Sequence, residues 1–401
     1  MPVPRRAAGA LAVALLLTSC TGPSGSGPDE RADSILQIVR DTMAEAHLRS
    51  AIVRVTENGR EIVTGAVGDS MTGIPATPDM HFRNGAVAIS YVATLLLLLV
   101  EDGTVGLDDR LSRWLPDVAH SDRVTLGQLA QMTSGYHDYV IGNDAFEKVL
   151  YANPFRAFTP DELLDFAVPE PLLYEPGTNW NYAHTNYVLL GLALEKATGR
   201  RMADLLEERV LGPLGLTGTR ASLTAEIPEP ALHAFTSERR TALGIPRNTG
   251  FYEESTFWNP SWTITHGAIQ TSTITDLEAT AVGIGSGELL SPESYRRMIS
   301  TDLRGRTRTQ PGCPTCLVMD DRYTYGLGIV ISGDWLLQDP MFAGLGAVEA
   351  YLPARKLAIA VAVTFAPEAF DAKGDYPNSA QTLFARIAAR LAPEDAPPIP
   401  R

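Results

Sequence analysis

The chain has 401 residues, 45% of them hydrophobic, and a formal net charge of -14. That length and apolar content suffice for one large domain built in two lobes. The acidic balance excludes a nucleic-acid surface, because phosphate binding needs concentrated Lys and Arg, and there is no basic run or helix-turn-helix pattern. Long acidic blocks are absent as well, so the charge reads as a solvated face that keeps the protein soluble.

Residues 1–19 read as a signal peptide. Arg5 and Arg6 precede an apolar stretch from Ala7 to Leu17, and Leu17-Thr18-Ser19-Cys20 closes it as a bacterial lipobox. Small residues before the cysteine admit a signal peptidase, and diacylglycerol on Cys20 would anchor the mature chain in the bilayer on the extracytoplasmic side of the cell membrane. The stretch is too short to stay as a spanning helix. Residues 20–30 are rich in Gly, Ser and Pro and are expected to form a flexible tether, with the folded domain running over residues 31–395. Once Cys20 is lipidated, only Cys313 and Cys316 of the three cysteines remain. An oxidising compartment would pair them. Redox chemistry and free thiols are the alternatives, but a thioredoxin-type motif needs a preceding strand and a helix at its first thiol. Here Arg304 to Gln310 is polar loop, and Leu317 to Asp321 lacks a helical pattern.

Ile35, Leu36, Ile38, Val39 and Met43 recur at helical spacing, which predicts an amphipathic helix from about Asp33 to His47. Ala51–Thr56 and Glu61–Val67 then flank Asn58-Gly59, a pair that supplies the positive φ angles of a type I′ hairpin turn. Val87 to Glu101 carries Leu95 to Leu99 unbroken and is apolar nearly all round, so it predicts a buried central helix ended by Asp102-Gly103. Helical patterns and loops continue to about Arg220. Beyond Tyr325 the pattern changes to strands at Tyr325–Ser332, Val348–Leu352 and Leu357–Thr364, and a helix over Ser379–Leu391 would lie on the sheet. Hairpins at both ends with helices between them predict an α+β fold: an antiparallel sheet flanked by helices, plus an inserted helical lobe. The α/β lobe would take about 31–103 and 221–395, and the helical lobe about 104–220.

The opening of the central helix carries the functional signal. Phe82-Arg83-Asn84-Gly85-Ala86-Val87-Ala88-Ile89 resembles the F-R-x-G-S-x-x-K segment that opens the nucleophile helix of serine β-lactamases, penicillin-binding proteins and their esterase relatives. Leu107-Asp108-Asp109-Arg110-Leu111, Thr133-Ser134-Gly135 and Gly212-Pro213-Leu214-Gly215-Leu216 are similar to further segments of that family, so the resemblance extends over about Arg31 to Ala392. It implies the β-lactamase/transpeptidase fold. In the family, serine and a lysine three residues on share one helix face, and the amine takes the hydroxyl proton. Ala86 stands at the serine position and Ile89 at the lysine position. Tyr182 matches the tyrosine of the family's Y-x-N loop, with His184 in place of the asparagine. Phe342-Ala343-Gly344 matches its H-x-G or K-T-G strand, with Phe342 in place of the cationic side chain. Gly344 would still present a strand edge and its N–H.

The resemblance thus implies a serine-hydrolase scaffold with a degenerate site and no confirmed catalytic residue. Ala86, Tyr182, His184, Phe342 and Gly344 would line a ligand-binding cleft for a cell-wall peptide, another small ligand or a protein partner. The competing expectation is an active enzyme of esterase, carboxypeptidase or β-lactamase type with a non-standard site: a hydrolase using an unrecognised residue, or weak non-covalent catalysis by Tyr182, His184 and backbone N–H groups. Loss of the lysine and of the third-motif cation should disfavour a D-alanyl carboxylate and leave an aromatic, partly dry pocket. Ser90 lies inside the helix, away from its N-terminal N–H groups, and Ser134 most simply shapes a turn. No G-x-S-x-G elbow or H-E-x-x-H spacing occurs, and His184, His233 and His266 are scattered singly, so neither metal nor cofactor is expected.

Overall fold

A computed structural model describes residues 28–398. The lipobox and Cys20 lie outside the described residues. Helix α1 (Pro28–Glu45) begins before the tether boundary expected at residue 30. It leads into the hairpin of β1 (Leu48–Glu57) and β2 (Arg60–Met71), turned by Asn58 at φ 54° and Gly59 at φ 73°. Next come β3 (Ile74–Pro75), β4 (Phe82–Arg83) and the central helix α2 (Val87–Glu101). Five helices follow: α3 (Leu126–Ala130), α4 (Asp144–Ala152), α5 (Pro160–Leu164), α6 (His184–Thr198) and α7 (Met202–Leu206). The chain then returns through β5 (Arg220–Ala221), β6 (Phe235–Thr236), β7 (Glu253–Glu254), β8 (Gln270–Ser272), α8 (Ile274–Gly285) and α9 (Pro292–Met298). It finishes with β9 (Thr324–Tyr325), β10 (Val330–Ser332), β11 (Trp335–Gln338), β12 (Met341–Phe342), β13 (Leu345–Leu352), β14 (Leu357–Phe365) and α10 (Ser379–Leu391).

The main sheet runs β3-β2-β1-β14-β13-β11-β10-β9, with β12 also paired to β13, and its pairings are antiparallel. Side chains five residues apart on a strand point to opposite faces. On β13, Tyr351 packs where Gly285 of α8 leaves room, while Gly346 approaches Ala380 of α10. The two helices therefore cover opposite faces, and β14 is buried along its whole length instead of alternating. Helix α2 is buried at every position from Val87 to Leu97. Among the described residues, no helix is long and apolar enough to cross a membrane.

One strand expected from the sequence is two. Tyr325–Ser332 breaks into β9 and β10, which pair antiparallel with Val330 opposite Tyr325. Gly328, at φ 68°, makes the reversal, and a Cβ there would press on Ala93, on the Ile89 carbonyl at 3.0 Å and on the Tyr187 hydroxyl at 2.7 Å. The turn closes because this glycine lets α2 and α6 pass against it. A small sheet in the order β4-β8-β5 ties the entry of α2 to residues 220–221 and 270–272, which fixes where the first candidate position, Ala86, emerges.

Candidate active-site cleft

Ala86 immediately precedes α2, at φ -65° and ψ -6°. The N–H groups of Val87, Ala88 and Ile89 donate to the carbonyls of Asn84, Gly85 and Ala86 at 3.2, 3.1 and 3.0 Å. A tight first turn thus consumes donors that a helix start usually leaves free. Gly85 takes φ 53°, and any Cβ on it would lie 2.7 Å from the Pro340 ring, so glycine is what allows the helix start to sit beside that rim.

Tyr182 arrives on the loop before α6. Asn181 anchors that loop: its N–H donates to Met132 O at 3.2 Å, its Nδ2 donates to Tyr136 O at 3.1 Å, and its Oδ1 accepts the Tyr174 hydroxyl. The Tyr182 N–H donates to Thr315 O at 3.4 Å. Thr315 belongs to the loop closed by the Cys313–Cys316 disulfide, whose Cα atoms are 5.4 Å apart and which packs on Tyr174. The crosslinked loop therefore braces the backbone of Tyr182.

His184 opens α6, whose preceding residue, Ala183, has no capping side chain. Asp138, from a different loop, supplies the cap. Its Oδ1 accepts the His184 N–H at 2.9 Å, both carboxylate oxygens lie 3.1 Å from His184 Nδ1, and the carboxylate also accepts from the N–H groups of Val140 and Ile141 at 3.3 and 3.0 Å. The Asp138 side chain is 2% exposed and that of His184 15%. A carboxylate only accepts, so Nδ1 carries its proton toward Asp138 and Nε2 is left as the free ring position. His184 follows from the motif spacing, whereas Asp138 has no sequence signal.

Ala86, Ile89, Tyr182, His184 and Phe342 line one cavity of about 290 Å³, together with Trp262, Tyr323, Asp339 and Met341. Trp262 stacks on Phe342 at 5.4 Å and 11°, and Tyr182 meets His184 edge-on at 5.2 Å. Burial, then the carboxylates of Asp138 and Asp339, push the Tyr182 phenol up from its usual value, so it remains a hydroxyl and donates rather than abstracts protons. Burial raises the Asp339 carboxyl to about 7. Trp262, Tyr323 and Asp339 join the cleft without belonging to any of the expected site positions. Asp339, three residues before Phe342, could have been found from the third motif, but Pro260-Ser261-Trp262 carries no motif at all.

Gly344 is set apart from these residues. Its N–H donates to the Tyr376 hydroxyl at 2.8 Å, and its backbone, at φ 83°, is pressed against the Phe235 carbonyl, so it does not offer the free strand-edge donor expected of it. Ser90 is buried and donates to Val87 O at 2.7 Å, while Ser134 donates to Asn186 Oδ1 at 2.5 Å. Both serines are engaged in packing. Among the described residues, no group of three or more His, Cys, Asp or Glu is placed to hold a metal ion.

Comparisons with known proteins agree with this architecture. The beta-lactamase family profile matches residues 35–384. The chain is 28% identical over 204 residues to penicillin-binding protein 4* of Bacillus subtilis (strain 168), covering 49% of this chain and 44% of that protein. It is 32% identical over 200 residues to penicillin-binding protein 4 of Amycolatopsis lactamdurans, covering 47% of each. The chain thus spans about half the length of the curated relatives it matches. Among solved structures, a D-stereospecific amidohydrolase from Streptomyces sp. superposes with a TM-score of 0.72 at 24% identity, covering 90% of this chain and 99% of that one. The D-amino acid amidase from Ochrobactrum anthropi SV3, complexed with D-phenylalanine, gives a TM-score of 0.74 at 22% identity with the same coverage. These two likenesses establish the fold: a large antiparallel sheet with flanking helices, of the β-lactamase/transpeptidase type. The family match over most of the chain goes further, and the protein belongs to the beta-lactamase family.

Proposed function

We propose that the protein is an extracytoplasmic lipoprotein that has kept the cleft of a serine hydrolase but not its chemistry, and that it binds a small ligand or the end of a cell-wall peptide without converting it. The observation that carries this reading is the combination of an open 290 Å³ cavity with a methyl group at Ala86 and a sec-butyl group at Ile89. Neither group can form an acyl-enzyme or move a proton. Burial keeps Tyr182 a neutral phenol, which can donate a hydrogen bond to a bound ligand. A protein partner docked over the same cleft is the macromolecular form of this reading. Membrane attachment rests on the Leu17-Thr18-Ser19-Cys20 sequence. Cys20→Ala is expected to release the protein from the membrane fraction or leave the precursor unprocessed, and unchanged fractionation with an unchanged mature mass would remove the lipobox from the account.

The binding reading is tested by a thermal-shift screen of cell-wall fragments and lipids on the mature protein, repeated on Phe342→Ala and Tyr182→Phe. A ligand whose stabilisation disappears in both variants supports the cleft. Absence of any stabilising ligand would leave the outer surface as the functional part. One observation favours a second reading: with Nδ1 held by Asp138, His184 has the tautomer of a general base, so a water molecule could replace the missing serine. Turnover of an activated ester that is abolished by His184→Gln would establish that reading over binding alone.

A further inference from the structure

The resemblance implies a cationic side chain at the position of Phe342, yet the electrostatics of this cleft run the other way. Among the residues lining it, none is Lys or Arg, and the one formally anionic side chain is Asp339. The Asp339 carboxylate is close enough to two cleft-lining phenols, Tyr182 and Tyr323, to raise both. Its Oδ2 accepts from Gln381 Nε2 at 3.0 Å, and no ion pair forms at it. A second carboxylate, Asp138, stands directly behind His184. Around these lie Tyr182, Tyr323, Trp262 and Phe342, whose ring faces carry negative quadrupole potential. A small cation with an apolar shell is attracted by both the carboxylate and the rings, while an anion is repelled by each.

Resting on the binding reading above, we infer that the cleft takes a ligand bearing an alkylammonium group, seated against the aromatic wall with its charge toward Asp339. The volume fits: about 290 Å³ is at the small end of ligand cavities, enough for a substituted ammonium head with a short tail. Exclusion of a carboxylate follows from the same field, and it explains why Phe342 can occupy a position where the family has a cation.

Binding should also be linked to protons. The groups that face the Asp339 carboxyl are the neutral phenols of Tyr182 and Tyr323 and the amide of Gln381, with His184 and its partner Asp138 in the same cleft. Burial holds the empty Asp339 carboxyl near 7, so below that pH it is protonated and neutral, and above it is ionised. A quaternary ammonium does not titrate, so its affinity should rise about tenfold from pH 6 to pH 8, the change in ionised fraction of such a group.

The test titrates the mature protein with choline, with its neutral isostere 3,3-dimethylbutan-1-ol, and with 3,3-dimethylbutanoate, followed by calorimetry and by tryptophan fluorescence. Choline should bind at least tenfold tighter than the alcohol, and butanoate more weakly than either. In Asp339→Asn the gap between choline and the alcohol should close and the pH dependence vanish, and in His184→Gln the pH dependence should persist. Equal or tighter binding of the alcohol or the butanoate, lost in Phe342→Ala, would overturn the cationic ligand while leaving a binding cleft. Failure of all three to bind would overturn the cationic ligand as well, and the separate ligand screen then decides whether the cleft binds anything. A choline preference unchanged in Asp339→Asn would place the charge recognition elsewhere and overturn the assignment.

Discussion

Labelled penicillin is expected to leave the mature protein unmodified, with acylation slower than in an intact serine acylase by on the order of 10⁶, the scale of losing a nucleophile outright. Ala86 has no hydroxyl, Ser90 is buried with its Oγ bonded to Val87 O, and Ser134 is bonded to Asn186. Restoring the serine alone, as Ala86→Ser, should gain little because Ile89 is no base. Ala86→Ser with Ile89→Lys should regain slow acylation: position 89 is fully buried among apolar neighbours, which lowers an amine's pKa and keeps part of it neutral. The rate should stay far from that of a working enzyme, since Phe342 gives a substrate carboxylate no partner. Mass spectrometry of the intact protein reads all three outcomes. A stoichiometric adduct on the unaltered chain would end the account of an acylation-dead site.

Asp138→Ala is expected to lower stability by about 3 kcal/mol, seen as a shift in the urea unfolding midpoint. The carboxylate accepts from three backbone N–H groups and the His184 ring from a site that is nearly sealed, and water cannot fully replace it. Asp138→Asn keeps one acceptor oxygen and should cost roughly half as much. The same variants should disturb the cleft, because α6 loses the cap that fixes its first residue. A loss below about 1 kcal/mol for the alanine variant would mean that His184 is held by its packing against Tyr139 and Trp262 instead.

Much of this molecule could be read from short-range pattern, and the parts that could not share one cause. Helix α2 was legible because an unbroken apolar run has no other home than a core, and the β1–β2 hairpin because Asn58-Gly59 fits the positive φ angles that the structure uses. Helix α10 was legible from its periodic apolar face. The single strand expected over Tyr325–Ser332 failed because its turn is imposed from outside. Gly328 is left-handed so that α2 can pass, and nothing in Leu327-Gly328-Ile329 announces a helix lying across it. In the cleft, Ala86, Ile89, Tyr182 and Phe342 came from motif spacing. Asp138 did not, because its bond to His184 joins residues 46 apart with no pattern between them. Gly344 was misjudged for a related reason: the donor it was expected to offer is consumed by Tyr376 from the loop before α10.

The rim beside β12 also restricts how any ligand can be held. An extended peptide adds to a sheet by exchanging main-chain hydrogen bonds with a run of vacant donors and acceptors. Along Asp339–Gly344 several of those groups are already engaged. The Asp339 carbonyl accepts from Asn378 Nδ2 at 2.9 Å, Pro340 has no N–H and its carbonyl accepts from Ala347 at 3.0 Å, the Ala343 carbonyl accepts the Ser255 hydroxyl, and the Gly344 N–H is taken. A chain laid along this edge would find fewer partners for its own backbone than along a bare edge strand. Recognition shifts toward the side chains that line the cleft. Strand addition along this edge is thereby curtailed, and more of the selectivity falls to those side chains.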